Sequence, residues 1–168
     1  KYSGYIATKY FDSDGYYLLG IDQRGTVDLK AASDNLALNI GSDAEVSDTL
    51  TLSFKVDYFK EHRVNGLALS TNDTKSYNFS LSLIGFEGED SLSWQINTYY
   101  RDVDFRNSFA SVTDDRATTR MVLDQFSVPG KGMGLNGLFR VPLSEGNKIE
   151  VGFDTRRMEG RTNENNRN

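Results

Sequence analysis

TLTLSFKVDYFKEH, residues 49–62, alternates between apolar and polar side chains without a slip. Leu50, Leu52, Phe54, Val56 and Tyr58 fall on one face of an extended chain, and Thr49, Thr51, Ser53, Lys55 and Asp57 on the other. A period of two marks a strand with one dry face. The fold turns on what keeps that face dry: a second layer of protein, or something outside the protein.

The pattern recurs. Tyr77, Phe79, Leu81 and Leu83 alternate with Asn and Ser, as do Leu92, Trp94 and Ile96 with Ser and Gln, and Ile149, Val151 and Phe153 with Glu and Gly. Weaker strands fit 35–40 and 133–141. Pro129, Pro142 and four glycines at 130, 132, 134 and 137 lighten the second of these, a composition that a strand interior tolerates poorly. The opening KYSGYIATKYF reads as mid-strand, with neither an initiator Met nor a signal pattern, so the chain is expected to be a piece of a longer polypeptide.

Connections of two kinds take turns. GSDAEVSD (41–48), FEGED (86–90) and SEGN (144–147) are short and rich in turn residues. The stretches 12–25, 63–74 and 104–119 are long, and the polar tail 160–168 starts where another long loop is due. This predicts about seven strands in an antiparallel up-and-down meander, with long loops at one end and short turns at the other. Outer-membrane β-barrels are built in that way.

Composition narrows the function. A formal net charge of -5 with no basic run argues against nucleic acid. The absence of cysteine removes disulfides and thiolate chemistry, and a single histidine, His62, leaves one candidate for a neutral-pH base. No Ser or Cys stands in a nucleophile context, so no enzyme and no cofactor is expected. Asp102 and Asp104 form only the carboxylate spacing common to acidic strand ends. No apolar run reaches the ~18 residues of a transmembrane helix, but a transmembrane strand needs only about 9–11 alternating residues.

Two readings share the period of two. In a soluble β-sandwich, such as a carbohydrate- or surface-binding module, the apolar face meets a second sheet. In a membrane barrel it meets lipid and the polar face lines a lumen. The loop rhythm favours the barrel. So do aromatic residues where strands meet long loops (Tyr10 and Phe11, Tyr58 and Phe59, Tyr77, Tyr99 and Tyr100), which read as one interfacial girdle. The second face also carries Lys55, Asp57, Gln95, Asn97, Arg101, Glu150, Asp154 and Arg156 deep into the strands. On this reading Leu50, Leu52, Phe54, Val56, Phe79, Leu81, Leu92, Trp94, Ile96, Val151 and Phe153 face lipid.

With the strands in this register, VDYFKEHRVNGLALSTNDTKSYNFSLSL (56–83) resembles the barrel of a TonB-dependent outer-membrane receptor, as do WQINTYYRDVDFRNSFASVTDDRATTRMVLDQFSVPG (94–130), GFDTRRMEGRTNE (152–164) and YFDSDGYYLL (10–19). The resemblance spans most of the chain. It implies residence in the bacterial outer membrane and a plugged barrel of about 22 strands, of which residues 1–168 are a partial segment of roughly a third. It also implies partners: outer-membrane lipid, the remaining strands, a plug, TonB acting through that plug, and a ligand such as a ferric siderophore or cobalamin. No stretch here resembles the plug or its TonB-contacting box.

Candidate ligand contacts at the outer mouth are Tyr99, Arg101, Asp102, Arg106 and Arg156, because guanidinium pairs bidentately with anionic oxygens. Asp12 and Asp14, in D-S-D-G, are weak calcium candidates in what reads as an acidic turn; Asp114 and Asp115 raise the same question.

Overall fold

The computed structural model of the protein describes residues 1–88, 91–144 and 146–167. Its strands are β1 (Tyr2–Tyr17), β2 (Lys30–Ser47), β3 (Leu50–Val64), β4 (Thr71–Phe86), β5 (Ser93–Val112), β6 (Thr119–Ser144), β7 (Asn147–Gly160) and β8 (Asn163–Asn166). All join one antiparallel sheet, β1 to β7 side by side in chain order, and β1 does not meet β7. The chain is therefore an open all-β meander of eight strands rather than about seven. The difference is the polar tail, which pairs with β6 at Leu123, Asp124 and Ser127 just beyond the reach of β7. It continues the ladder along a strand of 26 residues whose backbone groups would otherwise lack partners.

The long and short ends are as the sequence implies, but the strands are longer and the loops shorter. Connections 18–29, 65–70 and 113–118 lie at one end, and 48–49, 87–92 and 145–146 at the other. Residues 41–47 extend β2 instead of forming a turn, and most of 104–119 extends β5 and β6. The part of FEGED at 89–90, and Glu145 of SEGN, lie outside the described residues. Ladder hydrogen bonds use only the backbone, so polar and acidic residues continue a strand whenever a neighbour is in register.

Two findings concern glycine. D-S-D-G is a bulge within β1, where the register slips between Ser13 and Tyr16, and not an acidic turn. Gly15 there has φ +65°, and a Cβ on it would lie 1.8 Å from the Ala31 carbonyl oxygen, so only glycine fits. The Gly- and Pro-bearing sixth segment is the longest strand of the sheet. Its missing side chains are replaced by neighbours' rings: a Cβ on Gly134 or Gly137 would come within 2.4 Å of the ring of Tyr99 or Phe153.

Among the described residues nothing covers the sheet. Among the described residues the only buried apolar side chain is Val27, and no large side chain is fully buried. The accessible surface is 11441 Å², against about 8,300 Å² for a compact monomer of this mass. The described residues form one layer, with no second sheet facing it.

Candidate functional site

Strand register assigns every ladder side chain to a face, because directly opposite residues point the same way. The first face carries an apolar band: Leu36, Leu38 and Ile40 on β2, Leu50 to Tyr58 on β3, Tyr77 to Leu83 on β4, Trp94 and Ile96 on β5, Met133, Leu135 and Phe139 on β6, and Val151 and Phe153 on β7. Ten of the eleven residues read as lipid-facing belong to it. Leu92 precedes β5 and lies off the ladder.

The band ends in tyrosines, and its edge runs oblique to the strands. Tyr58 and Tyr77 are opposite each other, with rings 5.1 Å apart. Tyr10 is level with Leu36 and Lys60, one position nearer the long loops, whereas Tyr100 is level with Phe79 and Val56, one position farther from them. On β7 the apolar run starts only at Phe153, beyond Thr155 and Arg157. From β1 to β5 the edge drops by the four residues between Lys60 and Val56. At ~3.4 Å per residue and ~4.8 Å per strand this is a slope of about 35°.

The aromatic pairs do not form one girdle. Neighbours in sequence point to opposite faces, so Tyr10, Tyr58 and Tyr100 edge the band while Phe11, Phe59 and Tyr99 stand on the other face. Beyond the tyrosine edge the two faces exchange character. The first becomes charged, with Lys60, His62, Asp73, Lys75, Asp102, Asp104, Arg106, Lys131 and Glu159. The second, polar below, presents Phe11, Phe59, Val103, Phe105 and Val128. Adjacent aromatics in the sequence mark this change of phase.

The second face holds all eight polar residues that the alternation placed there. Most are paired: Lys55 with Asp57 at 3.1 Å, Arg140 with Glu150, Arg156 with Asp154 at 2.8 Å, and Asn97 with Asn136 at 2.8 Å. Three of the five candidate ligand contacts come together on it. Tyr99, Gly134 and Arg156 form one row, and Arg101 lies beside Gly132 in the next. Gly130 and Gly132 floor a shallow groove of about 350 Å³ walled by Tyr99, Arg101 and Met158, and Gly134 and Arg156 line the neighbouring one. Arg101 is exposed and has no ion-pair partner among the described residues. Asp102 and Arg106 point to the opposite face, level with Tyr77 and Asp73, so they cannot join this group.

The three long-end connections pack on one another. The guanidinium of Arg116 donates to both carboxylate oxygens of Asp28, through Nε at 2.8 Å and through a terminal nitrogen. The Gly25 amide donates to Asp28 at 2.7 Å. The Ala68 amide donates to the Val27 carbonyl at 3.0 Å, the Leu29 amide to Gly66 at 3.1 Å, and the Thr26 hydroxyl to Ala117 at 2.9 Å. The Arg116 guanidinium, then the Gly25 amide, hold the Asp28 carboxyl down at about 2.

Neither acidic pair reads as a metal site. Asp12 faces Asp34 within the β1–β2 ladder, and Asp115 accepts from Thr113 Oγ1 at 2.6 Å and the Ala117 amide at 3.1 Å, closing its own turn. No group of three or more His, Asp or Glu among the described residues could hold a metal ion. His62 Nδ1 lies 2.8 Å from Asp73 Oδ1, on the charged part of the first face. Among the described residues no helix is long and apolar enough to cross a membrane, which says nothing of strands. No protein-family model, curated protein or solved structure matches the chain.

Proposed function

We propose that this sheet is a sector of a bacterial outer-membrane β-barrel, with the apolar band against lipid and the polar face toward the lumen. The observation that carries the reading is the oblique tyrosine edge. A membrane plane cuts a barrel's strands at their tilt, about 35–45°, and the band edge crosses these strands at about that slope. The Leu50–Tyr58 stretch rises about 27 Å along the strand and about 22 Å across a membrane at that tilt, close to the ~25 Å apolar belt of such barrels. The uncovered surface and the open edges at β1 and β7 fit a piece whose neighbours are further strands.

The resemblance of 56–83, 94–130 and 152–164 to TonB-dependent receptors supports the narrower reading of a nutrient importer. Its other strands and plug complete the barrel, TonB acts through the plug, and the ligand is a ferric siderophore or cobalamin. Tyr99, Arg101 and Arg156 are then lumen residues near the outer mouth. Arg101, a cation without an ion-pair partner among the described residues and beside the glycine floor, is the one whose removal matters most.

Two measurements test this. Trp94, the only tryptophan, lies in the band, so brominated phosphatidylcholine vesicles are expected to quench its fluorescence while aqueous iodide does not. Quenching by iodide instead would return the chain to a water-exposed sheet. With ferric citrate as the anionic probe, Arg101→Ala is expected to weaken binding about tenfold, as loss of one charge-assisted contact does, and unchanged affinity would make Arg101 a bystander.

A further inference from the structure

Lys60 and Lys75 stand directly opposite each other on β3 and β4, one position beyond the Tyr58–Tyr77 pair. Like charges placed opposite on one face are unfavourable, and of the two Lys75 is partly relieved, by Tyr77 and by Asp104 opposite it on β5. Each acid nearby is engaged by another base: Asp73 with His62 at 2.8 Å and Asp104 with Arg106 at 3.8 Å. Leu36 flanks Lys60 on the β2 side. Among the described residues no carboxylate lies within ion-pair distance of either ammonium. Lys75 Nζ sits 5.3 Å from the centre of the Tyr77 ring, which steers it toward the band edge. Both lysines line a cavity of about 240 Å³ with Asp73, Asp104 and Arg106.

Two ammoniums side by side, with more donors than the Tyr77 hydroxyl and the already paired Asp104 take up, ask for an anion with several oxygens. Their level says which one. They share the face of the apolar band and begin where its tyrosine edge stops, which on the membrane reading is the height of lipid headgroups. We propose that Lys60 and Lys75 together hold the phosphate of an anionic lipid headgroup at the long-loop boundary of the membrane. The inference rests on the barrel reading and adds to it a specific lipid contact. The bound phosphate lowers the mutual repulsion of the lysines and anchors β3 and β4 at a fixed depth.

The protein is placed in nanodiscs of mixed phosphatidylcholine and phosphatidylglycerol, and native mass spectrometry counts the lipids retained. Preferential retention of phosphatidylglycerol is expected, falling about fivefold for each of Lys60→Gln and Lys75→Gln, with Lys60→Arg and Lys75→Arg preserving it. Excess inorganic phosphate is expected to leave the preference intact. If it abolishes the preference, the pair reads a free anion and the lipid assignment is overturned. Trp94 quenching, measured on the same samples, separates the two readings. Deep quenching with no loss of preference in the Gln variants overturns the lysine assignment alone. A Trp94 reached by iodide in the unsubstituted protein overturns the membrane reading and this inference with it.

Discussion

Phe54→Arg is expected to destabilise membrane assembly by about 2–4 kcal/mol, whereas Ser53→Arg, one residue away, costs less than about 1 kcal/mol. Phe54 is the middle residue of the Leu50–Tyr58 stripe, flanked by Ser42 and Leu81 on the neighbouring strands. On the membrane reading its side chain stands near the bilayer midplane, where a guanidinium is most costly. Ser53 points to the polar face, beside Asp43, to which its hydroxyl donates at 2.6 Å, and an arginine there meets water and an acid. A soluble open sheet gives the opposite order. Phe54 is 42% exposed, and charging an exposed apolar position in water improves solubility. Urea titration of the two variants in vesicles, read by Trp94 fluorescence, checks the order, and equal stabilities would remove lipid from the first face.

Gly25→Ala is expected to undock the 18–29 connection, at a cost of about 1–3 kcal/mol of loop packing. A Cβ at Gly25 would lie 2.0 Å from the Arg116 carbonyl oxygen and 2.4 Å from Arg116 Cβ. Those are atoms of the chain trunk, which cannot swing aside as a side-chain tip can. To make room the loop must lift, taking Val27 out of its burial and Asp28 away from Arg116. The titration of Asp28 reports the event. Its carboxyl is held at about 2 against the usual 3.8. A lowered folded value means that the docking stabilisation is complete above about pH 4 and is lost as pH falls toward 2. In Gly25→Ala the midpoint is expected to return toward 3.8, with faster proteolysis within 18–29 at neutral pH. A carboxyl NMR titration that stays near 2 in the variant would mean the loop accommodates the methyl without lifting.

The strand of residues 49–62 is legible because alternation needs no knowledge of partners. So is the alternation of long and short ends, since turn residues announce where strands stop. The parity of side chains was legible too, yet it assigns the candidate contacts differently from their grouping by type. Counting in twos from Trp94 puts Asp102 and Arg106 on the apolar face and Arg101 on the polar one. The exchange of character at Tyr58 and Phe59 was likewise written in the sequence, as two adjacent aromatics that belong to different faces. Other features depend on distant register. Asp28 and Arg116 are 88 residues apart, and the slope of the tyrosine edge exists only once Tyr10 is level with Lys60 and Tyr100 with Val56. The stretch 133–141 reads as only a weak strand because glycine and proline are judged by what they lack, while Tyr99 and Phe153 supply rings from neighbouring strands.

In this meander almost every strand is held by the strands before and after it in the chain. Drawn apart by its ends, such a sheet would open as a zipper does, ladder rung by ladder rung from an outer strand, and never as a block sheared at once. The Asp28–Arg116 pair is a stitch across that seam. It ties the loop that joins β1 to β2 to the loop that joins β5 to β6, passing over the β3–β4 hairpin, so a pull on the first hairpin is shared by the third. Mechanical load entering at the edge strand is thereby spread over half the sheet before any single rung has to carry it.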